Sequence, residues 1–158
     1  MHTRCLNVSG AAVLGGTTLA LNVLYTAHAT ATGDGRNGHI RSSDGLIDAD
    51  VRVPVELGGE GGATNPEQLF AAGYAACFHS ALRSAARRAK TTVDGSEVAA
   101  AVGIGSTGGG TFGLRVTLTV RLPGVDPAQA QELVERAHER CPYSNATRGN
   151  IDVDIEIS

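Results

Sequence analysis

The sequence predicts an α+β fold in which largely antiparallel strands lie against two helices. Three observations carry this prediction. The segments follow the order βββαββαβ, several strand segments alternate side-chain character with period two, and two longer segments begin with helix-start signals. With 158 residues, the chain has the length of one domain that buries a core. We assign residues 23–158 to this domain and residues 1–22 to a flexible leader.

The first three strands are predicted at residues 23–32, 39–45 and 46–55. The turn cluster GDGRNG (33–38) separates the first two, and its Asn-Gly pair is typical of a tight hairpin. Pro54 lacks a backbone N–H, so it favours a strand end or a sheet edge for the third strand.

The first helix is predicted from Pro66 to about Lys90. Asn65 is a good N-cap residue, and proline is favoured at the first helical position. Basic residues at the far end suit the negative end of the helix dipole. Gly73 lies in the middle, where we expect a kink or a break.

The rest of the chain predicts two strands, a helix and a final strand. The strands cover about 96–105 and 112–122, joined by a glycine-rich hairpin loop. The second helix spans 125–141 with Asp126 as its cap. The last strand, at 150–157, alternates apolar and acidic residues.

The first 24 residues offer a second interpretation. A basic start, a moderately apolar stretch and Ala27-His28-Ala29 resemble a secretory signal peptide. Polar residues and a Gly-Gly-Thr-Thr run interrupt the apolar stretch, and cleavage after Ala29 would remove half of the first predicted strand. The flexible leader is therefore the preferred interpretation. No stretch reaches the roughly 20 uninterrupted apolar residues of a membrane span.

Composition excludes several functional classes. A net charge of −3 with 18% charged residues gives no basic face, which argues against a nucleic-acid partner. Three cysteines without a CxxC motif argue against a disulfide-framed secreted domain. The five histidines and three cysteines are scattered singly, so no metal site is predicted.

Two cysteines stand in contexts that favour thiol chemistry. Cys77 lies in the Ala-rich helical run AAGYAACFHSAL (71–82), and Cys141 stands at the end of the second predicted helix. Such a pair suggests one thiol that attacks and a second that resolves the product as a disulfide. The structural alternative is that both are inert, because a lone cysteine in an Ala-rich helix is more often a small core residue.

A reactive Cys77 requires a nearby cation, because a free thiol has a pKa of ~8.5 and only the thiolate attacks. Arg36, at the tip of the first hairpin, is the favoured candidate, although an arginine in a polar turn is by default solvated. Glu67 is a candidate for orienting Arg36. It precedes Cys77 by ten residues, which is ~15 Å along a straight helix. Glu67 therefore reaches the site only if the helix breaks or if tertiary or subunit contacts bring it there.

Four strings change the balance towards catalysis: LYTAHATATGDGRNG (24–38), TNPEQLFAAGYAACF (64–78), VGIGSTGGGTFGL (102–114) and CPYSNATRGNIDV (141–153). Together they resemble the organic hydroperoxide resistance (Ohr) branch of the Ohr/OsmC superfamily. The resemblance covers about residues 23–158. Its specific part is the long match around both cysteines.

The resemblance implies a thiol-dependent peroxidase that reduces organic and lipid hydroperoxides to alcohols. Cys77 then corresponds to the peroxidatic cysteine and Cys141 to the resolving one. Arg36 and Glu67 correspond to an ion pair over the thiolate, with Arg41 as the second candidate for the arginine. The nearest alternative is an OsmC-type peroxidase with a different substrate preference, and a more distant one is a thiol redox sensor.

The resemblance also implies partners. The family fold is an intertwined homodimer with active sites near the subunit interface. No bound cofactor is expected; the reductant would be dihydrolipoyl groups on a lipoylated protein, which suits the cytoplasm. Neither a nucleic-acid nor a membrane partner is expected.

Overall fold

A computed structural model describes residues 21–158 of the chain. The leader prediction falls almost entirely on residues outside this range. Residues 21–28 have no regular secondary structure, and Leu24 and Tyr25 are largely exposed. The first strand therefore begins at Ala29 rather than at residue 23.

The N-terminal sheet has three antiparallel strands, β1 (Ala29–Asp34), β2 (Asn37–Ser42) and β3 (Asp48–Asp50), in the order β1-β2-β3. The tight turn predicted between the first two strands is present, with Gly35 and Arg36 at its tip. Asn37 and Gly38, the pair that predicted the turn, instead lie in β2.

The third strand is shorter than predicted. It pairs with β2 only over Asp48–Asp50, and Val51 then forms a single bridge to Thr64. Pro54 precedes one turn of 3₁₀ helix at Val55–Leu57. The alternating pattern of this segment continues past the point at which the chain leaves the sheet.

Helix α1 (Pro66–Arg88) runs without interruption through Gly73, so the expected break is wrong. Its start agrees with the prediction, since the Asn65 side chain accepts a hydrogen bond from the Gln68 N–H at 2.9 Å. The glycine instead serves a close approach. A Cβ at position 73 would lie 3.0 Å from the Tyr143 hydroxyl oxygen.

The C-terminal sheet contains β4 (Glu97–Gly108), β5 (Thr111–Arg121) and β6 (Asp152–Ile157). β4 and β5 are antiparallel, whereas β6 lies parallel to β5. The sheets are thus largely antiparallel, as predicted, with one parallel pair. A parallel pair requires a crossover connection.

Two helices form that crossover, α2 (Pro127–Arg140) and α3 (Pro142–Thr147). The Asp126 side chain caps α2, as predicted, by accepting from two backbone N–H groups. The short helix α3 was not predicted.

The core lies between the C-terminal sheet and the helices. α1 packs against β4, α2 and α3. The largest fully buried side chains of this core are those of Tyr74, Phe78, Leu82, Val116, Leu118, Val120 and Leu133. This packing of helices on one sheet confirms the predicted α+β class. The N-terminal sheet is different, because every residue of β1 is exposed.

Candidate thiol site

Cys77 and Cys141 lie side by side although 64 residues separate them. Their Sγ atoms are 3.6 Å apart, and both are free thiols. Cys141 is fully buried, whereas Cys77 is partly accessible. An S–S bond is about 2.05 Å long, so a shift of roughly 1.5 Å would join the two sulfurs.

Cys141 takes this place because it joins two helices. Its N–H donates to the Ala137 carbonyl at the end of α2, and its own carbonyl accepts from the Asn145 N–H in α3. Pro142 follows as the first residue of α3, a position where its missing N–H costs nothing. The turn between the helices thus holds the sulfur against the middle of α1.

The surroundings of Cys77 within one chain oppose ionisation. Burial raises the pKa of the Cys77 thiol, and the neighbouring Cys141 adds to that increase. A hydrogen bond from the Tyr143 backbone N–H acts in the opposite direction and lowers the pKa. The balance is a raised pKa, so an activating cation has to come from elsewhere.

Arg36 and Glu67 form a two-point ion pair. One guanidinium nitrogen of Arg36 lies 2.7 Å from Glu67 Oε1, and the other lies 3.0 Å from Oε2. The hydrogen bond from Arg36 lowers the pKa of the Glu67 carboxyl, so the carboxylate stays ionised over a wide pH range. Arg41, the second candidate, instead lies 3.4 Å from Asp48 on the N-terminal sheet.

The structure therefore assembles two pairs along α1. The ion pair lies at the first turn of the helix and the thiol pair lies near its middle. Because α1 is continuous, Glu67 and Cys77 are about 15 Å apart along its axis. α1 has no break, and Glu67 contacts Arg36 within its own chain, so the Glu67 carboxylate does not reach Cys77.

Three aromatic rings line the side of α1 between the two pairs. The rings of Phe70 and Tyr143 stack with centroids 5.9 Å apart, and Tyr74 contacts both rings. Phe70 also borders an open cleft of about 370 Å³ beside Arg36 and Glu67. The other walls of this cleft come mainly from apolar residues of the β4–β5 hairpin: Ile104, Phe112, Gly113 and Leu114. A charged pair thus stands at one end of an apolar surface.

The sequence analysis did not single out Tyr74 and Tyr143 as site residues. A usable signal was Pro142, since proline is favoured at the first position of a helix as well as after the end of one. Interpreting it as a helix start would have predicted α3 and placed the Tyr143 N–H at the site.

Within residues 21–158, the structure contains neither a metal-binding cluster nor a membrane-spanning helix. No three histidine, cysteine, aspartate or glutamate side chains come together there as a metal-binding group. In the same range, no helix combines the length and hydropathy needed to cross a membrane.

Comparison with known proteins places the chain among relatives. A family model described as OsmC-like protein matches residues 58–156. An organic hydroperoxide resistance protein of Xanthomonas axonopodis pv. citri is 56% identical over 86% of this chain and 96% of its own length. The protein OhrB of Bacillus subtilis, of the same description, is 50% identical over 85% of this chain and 98% of its own.

Solved structures show the same likeness. The crystal structure of an organic hydroperoxide resistance protein from Legionella pneumophila superimposes with a TM-score of 0.83. The two share 50% identity, and the match covers 87% of this chain and 99% of that one. The matched part of the family model exceeds half of the chain, and both thiols lie inside it. The chain therefore belongs to the OsmC-like protein family, among its organic hydroperoxide resistance proteins.

Proposed function

We propose that the protein is a thiol-dependent peroxidase that reduces organic hydroperoxides to alcohols and so contributes to organic hydroperoxide resistance. The observation that carries the proposal is the approach of the Cys77 and Cys141 sulfurs to 3.6 Å in a reduced pair. The description of the relatives as organic hydroperoxide resistance proteins agrees with it.

The reaction begins at Cys77, the more accessible thiol. Its thiolate attacks the distal oxygen of the hydroperoxide; an S–O bond forms, the O–O bond breaks, and the alkoxide leaves as the alcohol after taking a proton. Cys77 is now a sulfenic acid. Cys141 then attacks the sulfenic sulfur, an S–S bond forms, the S–O bond breaks and water leaves. An external dithiol reduces the disulfide by two exchange steps and becomes a disulfide itself.

A second copy of the chain supplies the activating cation in this proposal. Within one chain the pKa of the Cys77 thiol is raised. Arg36 is held by Glu67 at the N-terminal end of α1, away from the thiols. Because a guanidinium stays charged at all accessible pH values, the ion pair of a second copy placed over Cys77 would stabilise both the thiolate and the charge that develops on O–O cleavage.

The exposed N-terminal sheet supports such a partner. All of β1 is exposed, as are the apolar side chains of Leu24, Tyr25, Leu46 and Val55. Large apolar side chains left exposed on one chain are candidates for burial against a partner. An intertwined homodimer would bury this surface and would bring Arg36 of one copy towards Cys77 of the other.

The shape of the cleft supports apolar substrates. Phe70, Ile104, Phe112 and Leu114 border about 370 Å³ of open space next to Arg36. An alkyl or lipid chain would bury apolar surface along these walls while its peroxide group meets the guanidinium. We therefore propose organic, including lipid, hydroperoxides rather than hydrogen peroxide as the preferred substrates.

The remaining parts of the proposal rest on the family resemblance. The reductant is a dihydrolipoyl group on a lipoylated protein, no cofactor stays bound, and the reaction takes place in the cytoplasm. The small accessible area of the thiol pair agrees with a slender reductant. Because Cys141 is buried, the reductant can attack the disulfide only at the Cys77 sulfur unless a local movement exposes Cys141.

The direct test is intact-mass analysis after one equivalent of cumene hydroperoxide, followed by turnover with dihydrolipoamide. We expect the protein to lose the mass of two hydrogen atoms, one alcohol to form per protein, and many turnovers when the dithiol is present. Oxidation that stops after one equivalent, with no turnover in any dithiol, would indicate a redox sensor instead. Thiols that survive stoichiometric hydroperoxide would show that both are structural.

A further inference from the structure

We infer that Tyr74 is a positioning residue, which seats α3 on α1 through a chain of hydroxyl hydrogen bonds and thereby keeps Cys141 ready to capture oxidised Cys77. The inference rests on the proposed function and names the part of the fold that sets how fast the disulfide closes. Tyr74 precedes Cys77 by one helical turn, and its side chain is fully buried.

The hydroxyl of Tyr74 reaches two buried hydroxyls of α3. Its oxygen lies 2.9 Å from Ser144 Oγ and 3.2 Å from Thr147 Oγ1. Both partners are almost completely buried. Three hydroxyl groups are therefore hydrogen-bonded to each other in the core, where water cannot take the place of a lost partner.

The number of hydroxyl protons fixes the donor and the acceptor in each of these hydrogen bonds. Thr147 donates its single hydroxyl proton to the carbonyl oxygen of Tyr143 at 3.0 Å or to that of Ser144 at 3.2 Å. Because each hydroxyl has one proton, Thr147 accepts from Tyr74, and Tyr74 in turn accepts from Ser144. The bonds then run from Ser144 through Tyr74 and Thr147 to the backbone at the start of α3, with every hydroxyl satisfied.

The start of α3 supplies two neighbours of the Cys77 sulfur. Cys141 precedes the helix and lies 3.6 Å from Cys77, and the Tyr143 N–H donates to the same sulfur. α3 has six residues, and its N-cap makes no side-chain hydrogen bond, so its own bonds do little to fix its position. The Tyr74 hydroxyl therefore joins the element that carries Cys77 to the element that carries its partners by side-chain hydrogen bonds, beside the ring contacts of Tyr143.

The consequence is kinetic. A sulfenic acid at Cys77 has two fates: attack by Cys141, which releases water, or attack on a second hydroperoxide, which yields sulfinic acid and a second alcohol. The first fate requires that α3 hold the Cys141 sulfur beside Cys77, whereas the second needs no second sulfur. Loss of the Tyr74 hydroxyl should therefore favour overoxidation at a given hydroperoxide concentration.

The test compares Tyr74→Phe with the wild-type protein in a titration with cumene hydroperoxide under turnover, with sulfinic acid at Cys77 measured by intact mass. We expect half-overoxidation at a roughly tenfold lower hydroperoxide concentration, the scale set by one lost hydrogen bond at a closely fitted site. Thr147→Val breaks the same chain and should act alike, and the double variant should be no worse than either single one.

A matched control separates positioning from general destabilisation. Val120→Ala removes buried volume from β5 at the end of the sheet away from the cleft. It should lower the melting temperature without shifting the overoxidation point. If Tyr74→Phe overoxidises at the same concentration as the wild type or as Val120→Ala, the inference is wrong.

A second measurement does not depend on peroxidase activity. In a glutathione redox buffer, the effective concentration of Cys141 towards Cys77 should fall roughly tenfold in Tyr74→Phe and in Thr147→Val. If the wild-type protein fails to reduce hydroperoxide while the two variants still show this fall relative to it, the proposed function is overturned and the positioning role stands. An unchanged effective concentration in both variants would overturn the positioning role alone.

Discussion

Cys141 approaches Cys77 to 3.6 Å between sulfurs because the turn that ends α2 also begins α3, and α3 packs on α1. The two thiols are not equivalent in this arrangement. Cys77 is partly accessible and receives the Tyr143 N–H, whereas Cys141 is fully buried behind it. In the proposed reaction, this difference in access assigns the attack to Cys77 and the resolving step to Cys141.

That assignment predicts different products from the two cysteine variants. Cys77→Ser should lose all reactivity with organic hydroperoxide, because the buried Cys141 does not meet the substrate. Cys141→Ser should consume one equivalent and stop at a sulfenic acid that dimedone traps, as shown by intact mass. Identical behaviour of the two variants would contradict the assignment of roles.

The separation of the two pairs predicts that the active site is shared between copies. Cys77→Ser should be inactive and Arg36→Ala strongly slowed, and mixing them after unfolding and refolding together should restore activity. Each hybrid dimer then holds one site with an intact Cys77 and an intact Arg36. Random pairing should return roughly a quarter of wild-type turnover, because half of the dimers are hybrids with one working site of two.

The control for this experiment is each variant refolded alone, at the same total concentration. If Arg36 serves Cys77 of its own chain, hybrids contain no complete site and the mixture is no more active than Arg36→Ala alone. A protein that runs as a monomer in analytical ultracentrifugation would contradict the shared site independently.

Arg36 also predicts a specific pH effect. In Arg36→Ala the thiolate loses its cation, so its formation should move to higher pH and the attack on hydroperoxide at neutral pH should slow by one to two orders of magnitude. The measurement is the pH dependence of single-turnover rates. Arg41→Ala is the matched control, since Arg41 lies beside Asp48 on the N-terminal sheet. A pH profile unchanged by Arg36→Ala and shifted by Arg41→Ala would move the role to Arg41.

The local signals in the sequence predicted the elements of the fold better than their ends. Asn65 with Pro66, and Asp126 with the proline after it, begin helices by satisfying or removing backbone N–H groups, an effect that depends on neighbouring residues alone. Strand ends depend on the neighbouring strand. The alternating segments from residues 23 and 46 therefore extend beyond the pairing that β2 provides.

Gly73 shows why the rest was beyond the sequence. Within α1 a glycine is a weak point by propensity, and a kink was the expectation. Its actual constraint is the hydroxyl of Tyr143, a residue 70 positions later on a helix that had not been predicted. The same holds for Cys77 and Cys141, whose contact depends on the crossover through α2 and α3. The sequence contexts suggested that the two cysteines act as a pair, but their spacing along the chain does not give the distance between the sulfurs.

Gly73→Ala should therefore separate helix propensity from activity. Alanine favours the helix by about 1 kcal/mol, but its Cβ would lie 3.0 Å from the Tyr143 hydroxyl oxygen and 3.3 Å from the ring. We expect a nearly unchanged melting temperature and slower hydroperoxide reduction, because the ring and its N–H shift away from Cys77. Combining it with Tyr143→Phe removes the closest contact and should restore part of the rate. Full activity in Gly73→Ala would show that the approach of Tyr143 does not matter for catalysis.

The ion pair at the first turn of α1 predicts how stability depends on pH. Arg36 lowers the pKa of Glu67 below its ordinary value of 4.5, so the pair stabilises the folded state above that value and loses its contribution as pH falls through the lower, folded pKa. Glu67→Gln should therefore be less stable than wild type at neutral pH, and the difference should vanish in acid, where the carboxyl is protonated. Urea unfolding at fixed protein concentration measures both limits.

Arg36→Met removes the same pair from the other side, so adding Glu67→Gln to it should change the pH dependence no further. A difference between Glu67→Gln and wild type that is the same at all pH values would instead assign its cause to packing rather than to the charge that Arg36 holds.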